Sequence, residues 1–204
     1  MFDKAVNRAP GAQLIKLPNR ALGADDLGPI KAYWDRVRAG RIVPSRAEID
    51  PEAIHPYLGQ SGIIERTRPG TVKIRLAGRK LEALMGMEMR GMPLRAMFTV
   101  AHRDRLEALL TQVFEGPRVL TMGLSAAFEG QPLVTAHLAL MPLSDIRGEV
   151  TRALMVMTPQ SEPARMPCRF DIHHAHLALI ATETPSDAPR AETPQLRVIT
   201  GGLA

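Results

Sequence analysis

The chain alternates between two hydrophobic periods, and the places where they switch mark its elements. Leu27, Ile30, Trp34 and Val37 recur at spacings of 3, 4 and 3, with Lys31, Asp35, Arg36 and Arg38 between them. This is one apolar stripe of a helix running to about Ala39, with Asp25 and Asp26 as N-caps and Gly40 as a left-handed end. The period then shortens to two. Val72, Ile74 and Leu76 alternate with Lys73 and Arg75, which predicts a strand that pairs, through Arg-Pro-Gly at 68–70, with another at about 61–66. Gly78 ends the second strand, a short helical run follows over Arg79–Met85, and Gly86, Gly91 and Pro93 punctuate what comes next. Thr99 caps a longer helix to Glu115, with Leu106, Leu109, Leu110, Val113 and Phe114 on its apolar face and Gly116-Pro117 as its stop. Three more strand-like segments lie at about 119–128, 133–141 and 150–157, the last almost continuously apolar, as a central strand should be.

Two strands, short helices, a longer helix and three strands make an α+β pattern: one antiparallel sheet with helices on one face. The strand–Gly–helix–Gly stretch at 71–98 is the junction between that sheet and a helical wall able to enclose a pocket. Its five methionines, Met85, Met87, Met89, Met92 and Met97, suit either an adaptable core or a pocket lining. The expected lining is Ile74, Leu76, Leu84, Met97, Met122, Leu124, Leu138 and Leu140, with His137 as a titratable neighbour; without a cavity the apolar members are plain core.

The first helix carries the only tryptophan. Leaving its stripe in water would forgo roughly 1.5–3 kcal/mol for each large apolar side chain. It must dock on its own sheet, on a second copy, or on both. Leu27, Ile30, Trp34 and Val37 are therefore the expected homodimer interface. The connector 40–59 holds a short helical turn at Asp50-Pro51, stopped by Pro56.

Residues 1–22 show no sustained period and read as a flexible arm, residues 23–158 as the domain, and 159–204 as a Pro-rich extension. That extension holds six of the 17 prolines, so a second compact domain is not expected there. Two islands in it, Arg169–Ala181 and Leu196–Thr200, could each add an edge strand or lie on the main body.

Composition narrows the role. At 204 residues and 45% hydrophobic, the chain can bury one core. Its net charge of +5 comes from 26 basic against 21 acidic residues, spread without a basic run, so no nucleic-acid partner is expected. A single cysteine, Cys168, allows no internal disulfide and favours a reducing compartment. With no signal-peptide pattern and no apolar run of about 18 residues, no membrane span is expected and the location is taken as cytoplasmic.

Catalysis needs convergent polar groups, and the strands offer almost none, so no catalytic residue is assigned. His173, His174 and His176 have the residue type of a metal site, but no acidic or cysteine partner clusters with them, and no metal is assigned. Gly78, Gly86 and Gly91 are too far apart for a phosphate-cradling loop.

The residues carry a resemblance. Tyr33–Gly40 (YWDRVRAG), Ile42–Pro51 (IVPSRAEIDP), Ile74–Gly78 (IRLAG) and the pair Gly86…Gly91 resemble a bacterial subfamily of small, stand-alone PAS domains, over about residues 28–158. The resemblance implies a PAS-like five-stranded antiparallel sheet in the order 2-1-5-4-3, with helices forming a pocket over one face. It implies sensing or protein–protein contacts in place of catalysis, and it brings no agreed ligand, so the cofactor is unknown. A flavin–cysteine photosensor does not fit, because the only cysteine lies in the tail. Haem would rest on His102 alone. The expected function is a cytoplasmic sensory or regulatory module acting through a small-molecule ligand, protein contacts or both. With no output domain in view, its signal would leave through a separate signalling protein partner. A structural interaction domain with a filled core, and an open-cone α+β enzyme, are the alternatives.

Overall fold

The computed structural model describes residues 27–68, 71–161, 163 and 165–181. The expected arm at 1–22 and the island Leu196–Thr200 lie outside the described residues. Helix α1 spans Gly28–Arg38 and begins with Pro29 in its first turn, where the missing N–H costs nothing. Its left-handed end is Ala39 at φ 48°, one residue before the expected glycine, and Gly40 follows at φ 78°. Strands β1 (Ser61–Arg68) and β2 (Thr71–Ala77) form the expected hairpin. Helix α2 (Arg79–Met85) follows, and ends at Gly86 in the left-handed region at φ 65°. Two 3-10 turns, Leu94–Met97 and Val100–His102, lead into α3 (Arg103–Phe114). Strands β3 (Arg118–Ala126), β4 (Val134–Ser144) and β5 (Val150–Pro159) then run antiparallel in succession.

The sheet has the order β2-β1-β5-β4-β3-β6. The expected five-stranded order is intact, and a sixth strand is added beside β3. That strand, β6 (Asp171–Leu179), comes from the Arg169–Ala181 island, so the sheet runs past residue 158 into the Pro-rich segment. Just before β6 the chain is stitched to the helical wall. The Cys168 N–H donates to the Leu84 carbonyl at 2.9 Å, and the Phe170 N–H donates to the Met97 carbonyl at 2.8 Å. Cys168 and Phe170 are fully buried there, which explains why so proline-rich a piece can join the body.

The helical wall covers one face of the sheet as expected, and the N-terminal helix with its connector covers the other. Side chains alternate across a strand, and β4 and β5 are apolar on both sides, so each face needs a cover. On the first face Ile74, Met122, Leu124, Leu138, Leu140 and Met155 pack beneath α2, the 3-10 turns and α3. On the second, Ile63, Ala139, Met141, Leu143, Leu154 and Val156 pack beneath α1 and the connector residues Ile49, Ala53, Ile54 and Tyr57. The Trp34 indole N–H donates to the Pro142 carbonyl at 3.0 Å and fixes α1 on this face.

Candidate functional site

The expected pocket lining divides. Ile74, Leu84, Met97, Met122, Leu124, Leu138 and Leu140 meet in one cluster and are each at most 2% exposed. Leu76 does not join them; it is 50% exposed. The cause is a β-bulge. Ile63 pairs with Leu76 and the next residue, Ile64, pairs with Ile74, so Arg75 is the extra residue. One extra residue inverts the alternation and places Leu76 on the second face.

His137 is also on the second face, in register with Gly123 and Thr158 and next to Ala139 in the alternation. Its ring lies 6.3 Å from that of His174, which reaches over Gly123. His173 bonds the Ser125 hydroxyl across the same strand pair. Among the described residues no group of three His, Cys, Asp or Glu is placed to hold a metal. His102 serves the architecture, since its Nδ1 accepts from the Ile172 N–H at 2.8 Å and tethers β6 to the start of α3.

Of the five methionines at 85–97, Met85, Met89 and Met97 are wholly buried, Met92 is partly buried and Met87 is 44% exposed. Leu27, Ile30 and Trp34, expected at a dimer interface, are buried against the chain's own sheet, with Val37 partly buried beside them.

Among the described residues, two concavities are lined by none of the seven side chains Ile74, Leu84, Met97, Met122, Leu124, Leu138 and Leu140. A shallow groove of about 180 Å³ on the second face is lined by Ile49, Ile54, Leu58, Ile63, Leu76 and Leu154. A cleft of about 350 Å³ opens where the far ends of β1 and β2 meet α3. Val72, Leu106, Leu110 and Phe114 form its apolar floor, while Arg66, Arg68, Arg95, Arg103, Glu107 and Glu115 surround it. Arg66 donates to Glu115 Oε1 at 3.0 Å and stacks its guanidinium 5.3 Å from the centre of the Phe114 ring. Arg68 donates to Thr71 Oγ1 at 3.3 Å. Sequence reasoning missed this cleft because its four arginines come from β1, the Leu94–Met97 turn and α3, with no common period to join them.

Burial also moves two acid–base groups. The Cys168 thiol is pushed above its ordinary value by loss of solvent, partly offset by the nearby Arg169 charge. Loss of solvent likewise raises the Tyr33 phenol, whose oxygen accepts from the Asp50 N–H at 2.9 Å. Neither group faces the cleft.

A comparison with curated proteins found no match. Among solved structures the chain is similar to the light state of the blue-light photoreceptor Aureochrome1 LOV, with 16% identity over 54% of this chain and 88% of that one and a TM-score of 0.39. It is also similar to a light-oxygen-voltage domain studied with a flavin analogue, with 18% identity over 54% of this chain and 83% of that one and a TM-score of 0.41. No ligand is carried across from either. The sheet order 2-1-5-4-3 is present whole, and a family model described as a PAS domain matches residues 26–158; the chain belongs to the PAS domain family.

Proposed function

We propose that this chain is a PAS-type sensory or regulatory module whose central core is filled by its own side chains and whose signals are exchanged at its outer surfaces. The observation that carries this reading is the cluster between the sheet and the helical wall. Met85, Met89, Leu94, Met97, Phe98 and Leu106 on the wall, and Ile74, Leu138 and Leu140 on the sheet, are all 0% exposed and apolar. An apolar interior of this kind offers no polar group to orient a ligand, whereas small-molecule sites use a few convergent ones. A catalytic role is disfavoured for the same reason, since an open-cone enzyme needs Asp, Glu, His or Tyr directed inward. The one strand histidine in question, His137, lies on the other face.

Signalling then works through a separate protein partner that reads the outer surface, in a cytoplasmic setting. A homodimer through α1 would require the stripe of Leu27, Ile30 and Trp34 to leave its own sheet, so dimerisation and undocking of α1 are coupled in this reading. Absorbance and native mass spectrometry of freshly purified protein in high salt test the filled core. The reading predicts the mass of the polypeptide and no chromophore. A stoichiometric apolar or cofactor-sized occupant that persists in high salt would overturn it.

A further inference from the structure

The cleft at the far ends of β1 and β2 has more positive charge than its own residues neutralise. Four arginines face two glutamates across it, an excess of two positive charges. Glu115 is engaged by Arg66, and Glu107 is the other acid. Arg95 and Arg103 have no carboxylate partner among the described residues. Arg103 is the more telling of the two. Its Nε is shielded from solvent and has no hydrogen-bond partner, although buried donors in folded proteins are nearly always satisfied. Among the described residues, its guanidinium lines the cleft without a carboxylate to neutralise it.

Arg66 is held in place by Glu115 and by the face of Phe114, so its position is set before anything binds. Beneath the guanidinium groups the floor is apolar: Val72, Leu106, Leu110 and Phe114. At about 350 Å³ the space lies at the lower end of the usual range for small-molecule sites.

We propose that this cleft binds a small phosphomonoester with a flat or apolar body. The doubly charged head matches the excess of two, and the planar fork of arginine suits phosphate oxygens bidentately. Arg95 and Arg103 take the head, and the body lies on the Leu110–Phe114 floor. The site does not depend on a cavity in the central core: its floor shares Val72, Leu106, Leu110 and Phe114 with the apolar cluster, but none of Ile74, Leu84, Met97, Met122, Leu124, Leu138 and Leu140 borders it.

The test is calorimetric titration of the full chain with 5′-AMP and phenyl phosphate, beside inorganic phosphate and adenosine. Saturable binding of at least one phosphomonoester is expected, tighter than inorganic phosphate, with none detectable for adenosine and affinity falling as salt rises. Arg103→Gln should weaken it roughly tenfold or more, as loss of a charge-assisted hydrogen bond does. Arg95→Gln, at an exposed position, should also weaken it and serves as the variant that cannot be blamed on misfolding. No saturable binding of either phosphomonoester, equal affinity for inorganic phosphate, or binding indifferent to both substitutions would overturn the proposal.

Discussion

Trp34→Ala is the most informative perturbation of the second face, because it separates docking on the chain's own sheet from docking on a partner. Trp34 is 2% exposed, and its indole N–H reaches the Pro142 carbonyl on β4. Removing a buried aromatic of this size costs about 3–5 kcal/mol. Part of that is the carbonyl left without its donor, which alone is worth about 1–3 kcal/mol. For a chain of this length each kcal/mol lowers Tm by about 2–4 °C, so a fall of roughly 6–20 °C follows. Trp34→Phe keeps a buried aromatic ring but loses the N–H and part of the volume, so it should sit near the lower end of that range. Urea denaturation followed by circular dichroism is the suitable assay, since the substitution removes the sole tryptophan and with it the fluorescence probe. Light scattering on the same samples reports oligomeric state. A loss below about 1 kcal/mol, together with dissociation of a dimer, would refute intramolecular docking and restore the stripe as an interface between copies.

Three further outcomes follow from the geometry. A Cβ on Gly78 would stand 2.1 Å from the Leu58 carbonyl oxygen, while one on Gly123 would meet only the movable His174 ring. Thermal melts should therefore show Gly78→Ala costing about 3 kcal/mol and Gly123→Ala about 1 kcal/mol or less; equal effects would contradict the packing described at Gly78. Cys168 is fully buried, so a thiol reagent should label it only after denaturant is added, and rapid native labelling would contradict the docking of the segment before β6. Folding raises the Cys168 thiol and the Tyr33 phenol above their ordinary values of 9.0 and 10.0, so the folded state holds these protons to higher pH than the unfolded one. That contribution is complete below the ordinary values and is lost as pH rises through the folded ones. Stability measured by urea melts should fall above about pH 9, and a Cys168→Ala, Tyr33→Phe pair should flatten the slope; an alkaline slope unchanged in the pair would sink the assignment.

Periodicity made most of the fold legible. The α1 stripe, the alternating strands, the Leu106–Phe114 face and the continuously apolar last strand of the domain stand where the pattern puts them. What was hidden depended on tertiary detail. Leu76 continues the alternation of Val72 and Ile74, yet a bulge at Arg75 inverts it, and no residue type announces that bulge. β6 arises from a segment whose prolines argue against regular structure, and it is held by backbone hydrogen bonds to Leu84 and Met97 that a sequence does not display. The α1 stripe was compatible with its own sheet, a second copy or both, and the contact with its own sheet, Trp34 against the Pro142 carbonyl, is a tertiary detail that no period displays. The cleft arginines at 66, 68, 95 and 103 look like ordinary solvated charges until the chain folds.

The filled core is the claim on which the functional reading depends, and small-to-large substitution probes it most directly. Ala136 and Ala153 lie within the cluster between sheet and wall, at 1% and 0% exposure. A cavity would accept a larger side chain at these positions with little loss or some gain, whereas a filled core must strain to admit it. Urea denaturation of Ala136→Leu and Ala153→Leu should show each losing about 1–3 kcal/mol. Unchanged or increased stability in both would mean that the space above the sheet is empty, and the module would then have an interior pocket to fill.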